Sequence, residues 1–178
     1  MIADRAASSP AATTSSTIPT IITALFGGFG HSEAPGMYEK HLKLAASSGV
    51  YHLPKTHRDS LKQAADKLGL PVLVADISAC RKVTEALRQI GTALHLPTWY
   101  GANFDALFDC LTDPDGQAGK TLVMLLNGTD NLQQAEPESF STLIEVFQAV
   151  AETRRETGNP CWILLDLPVR GIVALPEA

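Results

Sequence analysis

Asp105 and Asp109 stand four residues apart in "LPTWYGANFDALFDCLTD" (96–113), Asp113 and Asp115 follow, and no Lys or Arg occurs between Arg88 and Lys120. Carboxylates so spaced have three uses. They can ligate a hard cation, but Asp105 and Asp109 would need further donors, and only Asp113, Asp115 or His95 lies near in sequence. They can flank a nucleophile, here Cys110 with His95 as base, but helical geometry puts Cys110 on the flank away from the aspartates, where a thiol packs inertly. They can meet a cationic partner. Like charges at i and i+4 destabilise an isolated helix by roughly 0.2–0.5 kcal/mol. Asp105 has the positive end of the helix dipole to offset this, whereas Asp109, near the negative end, does not. Unless a distant side chain folds over the pair, the compensating charge belongs to another molecule. The plain alternative is a solvated acidic face. No catalytic residue, metal ligand or cofactor is assigned.

The helix that displays these groups starts after Asn103, a favourable N-cap. Phe104, Leu107, Phe108 and Leu111 then recur at i, i+3, i+4 and i+7 and form its buried face. At about 100° per residue, Asp105, Asp109 and Thr112 share one flank. Trp99, Tyr100 and a turn at Gly101 precede it. Taken singly, the aromatics read as core or lid; beside an acidic stripe they have the composition of an interface hot spot.

The surrounding pattern is α/β. "GVYHLP" is a short strand, and Thr56 is placed to cap a helix over "HRDSLKQAADKL" that Gly69 ends. "LPVLVADIS" (70–78), "GKTLVMLLNG" (119–128) and "CWILLDLP" (161–168) are apolar runs of strand length, as expected of strands covered on both faces. Helices over 79–94 and 137–158 separate them. The first has Val83, Ala86, Leu87 and Ile90 on its core face, the second Phe140, Leu143, Ile144, Phe147 and Val150. Strands alternating with helices imply a parallel sheet. "VRGIVALPEA" can add an edge strand or trail in solvent. Arg154 and Arg155 read as a solvated helix end that complements the dipole. His31, His41, His52 and His57 lack ligand spacing and read as surface residues. Residues 1–20, mostly Ala, Ser, Thr and Pro, cannot form a core. A helical turn or two is expected around Met37–Ala46. The expected organisation is an extension over 1–48, largely flexible, and one domain over 49–178.

The net charge of −5 over 178 residues argues against nucleic-acid binding, which calls for a cationic face, and makes a basic partner the natural one. Cys80, Cys110 and Cys161 lack metal or disulfide spacing and suit a reducing compartment. "TIPTIITALF" (17–26) is too short and too interrupted for a signal peptide or a membrane span. A cytoplasmic protein is expected, with its oligomeric state open.

The 96–113 stretch resembles the segment that defines the barstar family: a Pro, an aromatic pair, Gly-x-Asn, then Asp-Ala-Leu-aromatic-Asp-Cys-Leu-Thr. The order of flanking elements agrees, so the resemblance spans about residues 71–168. It implies a small α/β fold with a three-stranded parallel sheet flanked by helices, to which residues 49–69 would add one strand and helix. It also implies an intracellular, cofactor-free inhibitor of a basic, barnase-like microbial ribonuclease, and no enzyme. Carried over by position, Asp109 matches the aspartate that enters the ribonuclease's phosphate-binding site. Asp105 matches a neighbour that pairs with an active-site arginine, and Trp99 the aromatic that packs on the catalytic histidine. Gly101, Asn103 and Thr112 match further contacts, and Tyr100, Phe108 and Asp113 complete the expected binding surface. The chain departs from the pattern at Trp99 (a tyrosine), Phe108 (a tryptophan), Asp113 (a glycine) and Ala149 (an acidic residue, with Glu145 and Glu152 a turn either side). The alternative is a module of the same fold with a different cationic protein partner and no ribonuclease inhibition.

Overall fold

A computed structural model of the chain describes residues 36–116 and 118–177. The expectation of a disordered stretch over 1–20 lies outside them, as do His31 and most of the expected extension. Short elements lead into the sheet: α1 (Met37–Lys43), β1 (Gly49–His52) and α2 (Arg58–Lys67). After them come β2 (Val72–Asp76), α3 (Val83–Ala93), α4 (Phe104–Thr112), β3 (Leu122–Asn127), α5 (Thr129–Ala135), α6 (Pro137–Glu156) and β4 (Cys161–Leu165). All four strands are parallel, in the order β1-β4-β3-β2. The sheet thus carries, as β1, the strand that residues 49–69 were positioned to add.

Alternation along the central strands builds two cores. Leu122, Met124, Leu126, Cys161, Ile163 and Leu165 join residues of α3, α4, α5 and α6 in one. Val123, Leu125, Trp162 and Leu164 join Tyr38 and Leu42 of α1 and Leu61, Ala64 and Ala65 of α2 in the other. The folded unit therefore begins before residue 49: α1 is a core element, because the second face of the sheet would otherwise be left in water. Between β1 and β4 the register pairs Val50 with Ile163, and between β3 and β4 it pairs Met124 with Ile163.

Four expectations change. β2 is not covered on both faces: it is an edge strand whose Val74 is 44 % exposed, since an apolar run reports hydrophobicity and not the number of neighbouring strands. Thr56 does not cap α2, because Pro54 opens a 3-10 turn over Lys55–His57 that runs into the helix, leaving His57 at the N-cap. The C-terminal segment neither adds a full strand nor trails free. Ala174 makes a single parallel bridge to His52, and Leu175 is buried in the second core. Finally, His41, His52 and His57 are half-buried: His41 lies edge-on to Tyr51, and Nδ1 of His57 hydrogen-bonds Tyr38 Oη at 2.9 Å. Burial pushes His41 below the usual histidine pKa.

Candidate functional site

Asn103 has extended backbone, and its side-chain oxygen accepts the Ala106 N–H at 2.8 Å, so the helix start is fixed as the sequence predicts. Leu107 and Leu111 are buried, and Phe104 and Phe108 are half-buried at the rim of the first core. Asp105 and Asp109 are exposed. Thr112 is half-buried on the same flank, with its hydroxyl donating to Phe108 O at 2.8 Å. Asp113 lies past the helix end: its N–H donates to Asp109 O at 3.0 Å, and its carboxylate accepts the Asp115 N–H at 3.0 Å. Among the described residues, none of Asp105, Asp109, Asp113 and Asp115 forms an ion pair.

A distant cation does fold towards α4, but it takes the backbone. Arg154 is fully buried rather than solvated. Its Nη1 donates to Leu111 O at 2.6 Å and its Nη2 to Gly119 O at 2.7 Å. Burial lowers its pKa from the usual arginine value. The guanidinium meets the negative end of the α4 dipole, satisfies a carbonyl that the helix leaves open, and pins the following loop. The carboxylates stay free to act outward.

The aromatic pair splits. Trp99 is 67 % exposed. Tyr100 turns inward, where its ring packs on α3 and its hydroxyl donates to Leu87 O at 3.1 Å. Burial raises its pKa well above the ordinary tyrosine value. Tyr100 thus anchors the loop instead of presenting its ring. Gly91 makes room for it, since a Cβ there would lie 2.5 Å from Tyr100 Cε1. Gly91→Ala should therefore cost about 1–3 kcal/mol by overpacking and shift the loop that carries Trp99. Denaturant unfolding checks the cost, and the amide shifts of residues 97–103 check the movement.

The expected turn at Gly101 is displaced by one residue. The left-handed backbone belongs to Ala102 (φ 49°) and to His95 (φ 52°) at the start of the loop. A non-glycine residue in that region costs about 1–2 kcal/mol, so the fold holds this loop against a local preference. On α6, which packs beside α4, Glu145, Ala149 and Glu152 are exposed.

Other chemistry finds little support. Cys80, Cys110 and Cys161 are all buried and reduced. Burial, then the charges of Asp109 and Asp113, push the Cys110 thiol up, and burial pushes Cys161 up to about 12. A nucleophilic thiolate needs the opposite shift. Among the described residues, no group of three His, Cys, Asp or Glu side chains is arranged to hold a metal ion. No described helix is long and apolar enough to cross a membrane.

The family model described as Barstar (barnase inhibitor) matches residues 70–166, more than half of the chain. The chain belongs to the barstar family. No curated protein matched it. The family match takes in β2, the whole of the Trp99–Asp113 site, α6 and β4. It leaves outside the edge strand β1 and the helices α1 and α2 that cover the second face of the sheet. Membership supports a protein-binding role of the barnase-inhibitor kind, and members of this family are inhibitors rather than enzymes. Sequence reasoning did not find Arg154, Gly91 or Ala102, each of which shapes the site from beneath.

Proposed function

We propose that this barstar-family protein is a cytoplasmic inhibitor of a basic ribonuclease, whose phosphate-binding active site it plugs with the exposed flank of α4. The observation that carries this reading is the pair of exposed carboxylates, Asp105 and Asp109, on a helix fixed from below, with an exposed indole, Trp99, in the loop that leads into it. A site that holds a phosphodiester must be cationic. Two carboxylates one helical turn apart offer it charge-assisted hydrogen bonds in place of the substrate's phosphates. Trp99 supplies the apolar area that a charged contact lacks, and the bulk of the domain keeps substrate out. No bond is made or broken by this chain.

Charge complementarity acts first on the encounter. Barnase with barstar is itself the established example of such steering. Association with a barnase-type ribonuclease should be fast at low ionic strength and should slow steeply with salt, as the screening length falls to about 10 Å near 0.1 M. Stopped-flow association rates across a salt series test this. A flat salt dependence, or no association, would favour a different partner for the same fold.

A further inference from the structure

We infer that the cleft lined by Trp99 and Asp113 takes an arginine side chain of the partner and helps decide which ribonuclease is bound. The inference deepens the proposed function and rests on it for the partner's identity. Among the described residues the cleft is lined by Pro97, Trp99, Cys110, Asp113 and Gly116. Its walls are an indole, a proline ring and a buried thiol, and its one ionisable wall group besides that thiol is the Asp113 carboxylate. Because the thiol is pushed up by burial and by Asp109 and Asp113, it stays neutral and adds no charge.

Three features make this a formed receptor. Asp113 is held, because its Oδ1 accepts the Asp115 N–H at 3.0 Å, while Oδ2 keeps its capacity to accept. Gly116 leaves the space the carboxylate occupies: a Cβ there would lie 3.1 Å from Asp113 Cβ and 3.2 Å from Asp113 Oδ2. Trp99 lines the cleft while 67 % exposed, although indole is among the side chains that gain most from being covered. An anionic group would be repelled here by Asp109, Asp113 and Asp115. A purely apolar one would strip water from Asp113 without replacing its hydrogen bonds. A guanidinium satisfies both walls, since it stacks flat on the indole and donates in-plane to the carboxylate. The compact, strongly hydrated ammonium of lysine fits that geometry less well. Trp99 stands where barstar itself has a tyrosine, and Asp113 where a glycine ends its motif.

The test has two arms. In the first, the free protein is titrated with N-acetylarginine amide and, separately, with its neutral isostere N-acetylcitrulline amide, while the indole N–H signals are followed by NMR. Trp162, which is buried and donates to Ser47 O at 3.1 Å, serves as internal reference. The expected result is a shift of the Trp99 signal with the arginine compound alone, lost in Asp113→Asn, whose side-chain oxygen can still accept the Asp115 N–H and keep the turn. Equal shifts with both compounds, or a shift that persists in Asp113→Asn, would overturn the inference.

In the second arm, Asp113→Asn should weaken binding of a barnase-type ribonuclease about fivefold, the upper scale of an exposed charge pair. The loss should couple to a single arginine of that enzyme in a double-mutant cycle. If Asp113→Asn leaves affinity unchanged while Asp109→Ala lowers it, the cleft assignment fails and the proposed function stands. If the unaltered protein binds no such enzyme, the proposed function fails, and the arginine titration alone decides the cleft.

Discussion

Replacing Asp109 by Ala should weaken binding of the ribonuclease by about 2 kcal/mol or more, roughly a thirtyfold rise in Kd. Asp109 sits in the last turn of α4, where the dipole opposes a negative charge, and among the described residues no cation pairs with it. The same substitution should leave stability unchanged or raise it slightly, because it removes a like-charge neighbour of Asp105. That opposite movement of affinity and stability separates a binding residue from a structural one. Isothermal titration of the variant, beside its urea unfolding curve, reads both. Asp105→Ala should act in the same direction on affinity, with a smaller gain in stability, because Asp105 lies in the first turn where the dipole favours it.

The second large effect is on the fold beneath the site. Arg154→Ala should destabilise the protein by about 3–5 kcal/mol. It leaves Leu111 O and Gly119 O without their donor and opens a cavity at a fully buried position. Arg154→Lys should recover only part of the loss, since one ammonium replaces a planar fork that reaches two carbonyls. Arg155→Ala, one residue along and exposed, should stay within about 0.5 kcal/mol of the unaltered protein. Urea midpoints at constant m measure all three. Arg154→Ala should also weaken ribonuclease binding, because the end of α4 that carries Asp109 loses its pin.

The contrast between the two arginines shows where the sequence was readable. Leu107 and Leu111 on α4, and Phe140, Leu143, Ile144, Phe147 and Val150 on α6, follow the helical period and are buried as that period requires. Arg154 continues the same series, four residues after Val150 and seven after Phe147, so its burial was legible; its charge and its place near the helix end suggested a solvated role instead. β3 and β4 are buried along their apolar runs, whereas β2, equally apolar, lies at an edge, because neighbour number is a property of topology. α5 escaped because it is short and has no side-chain cap of its own. Its first residues are held by Asp166 of a distant segment, which accepts the Gly128 N–H at 2.9 Å.

Within the site, the acidic flank and the Asn103 cap were legible because both depend on spacing along one helix. The opposite fates of Trp99 and Tyr100 depend on Gly91, which a ring can approach and a side chain would block, and that contact spans two elements. The left-handed turn at Ala102 was hidden by the adjacent Gly101, the residue type that ordinarily takes such a conformation.

The most direct measurement is a titration of a barnase-type ribonuclease with the purified full-length protein, following residual cleavage of RNA at moderate salt. An active-site plug of the proposed kind should abolish activity along a straight line that ends at one inhibitor per enzyme. Full activity at a large excess of the protein would contradict ribonuclease inhibition and assign the acidic face of α4 to another cationic partner.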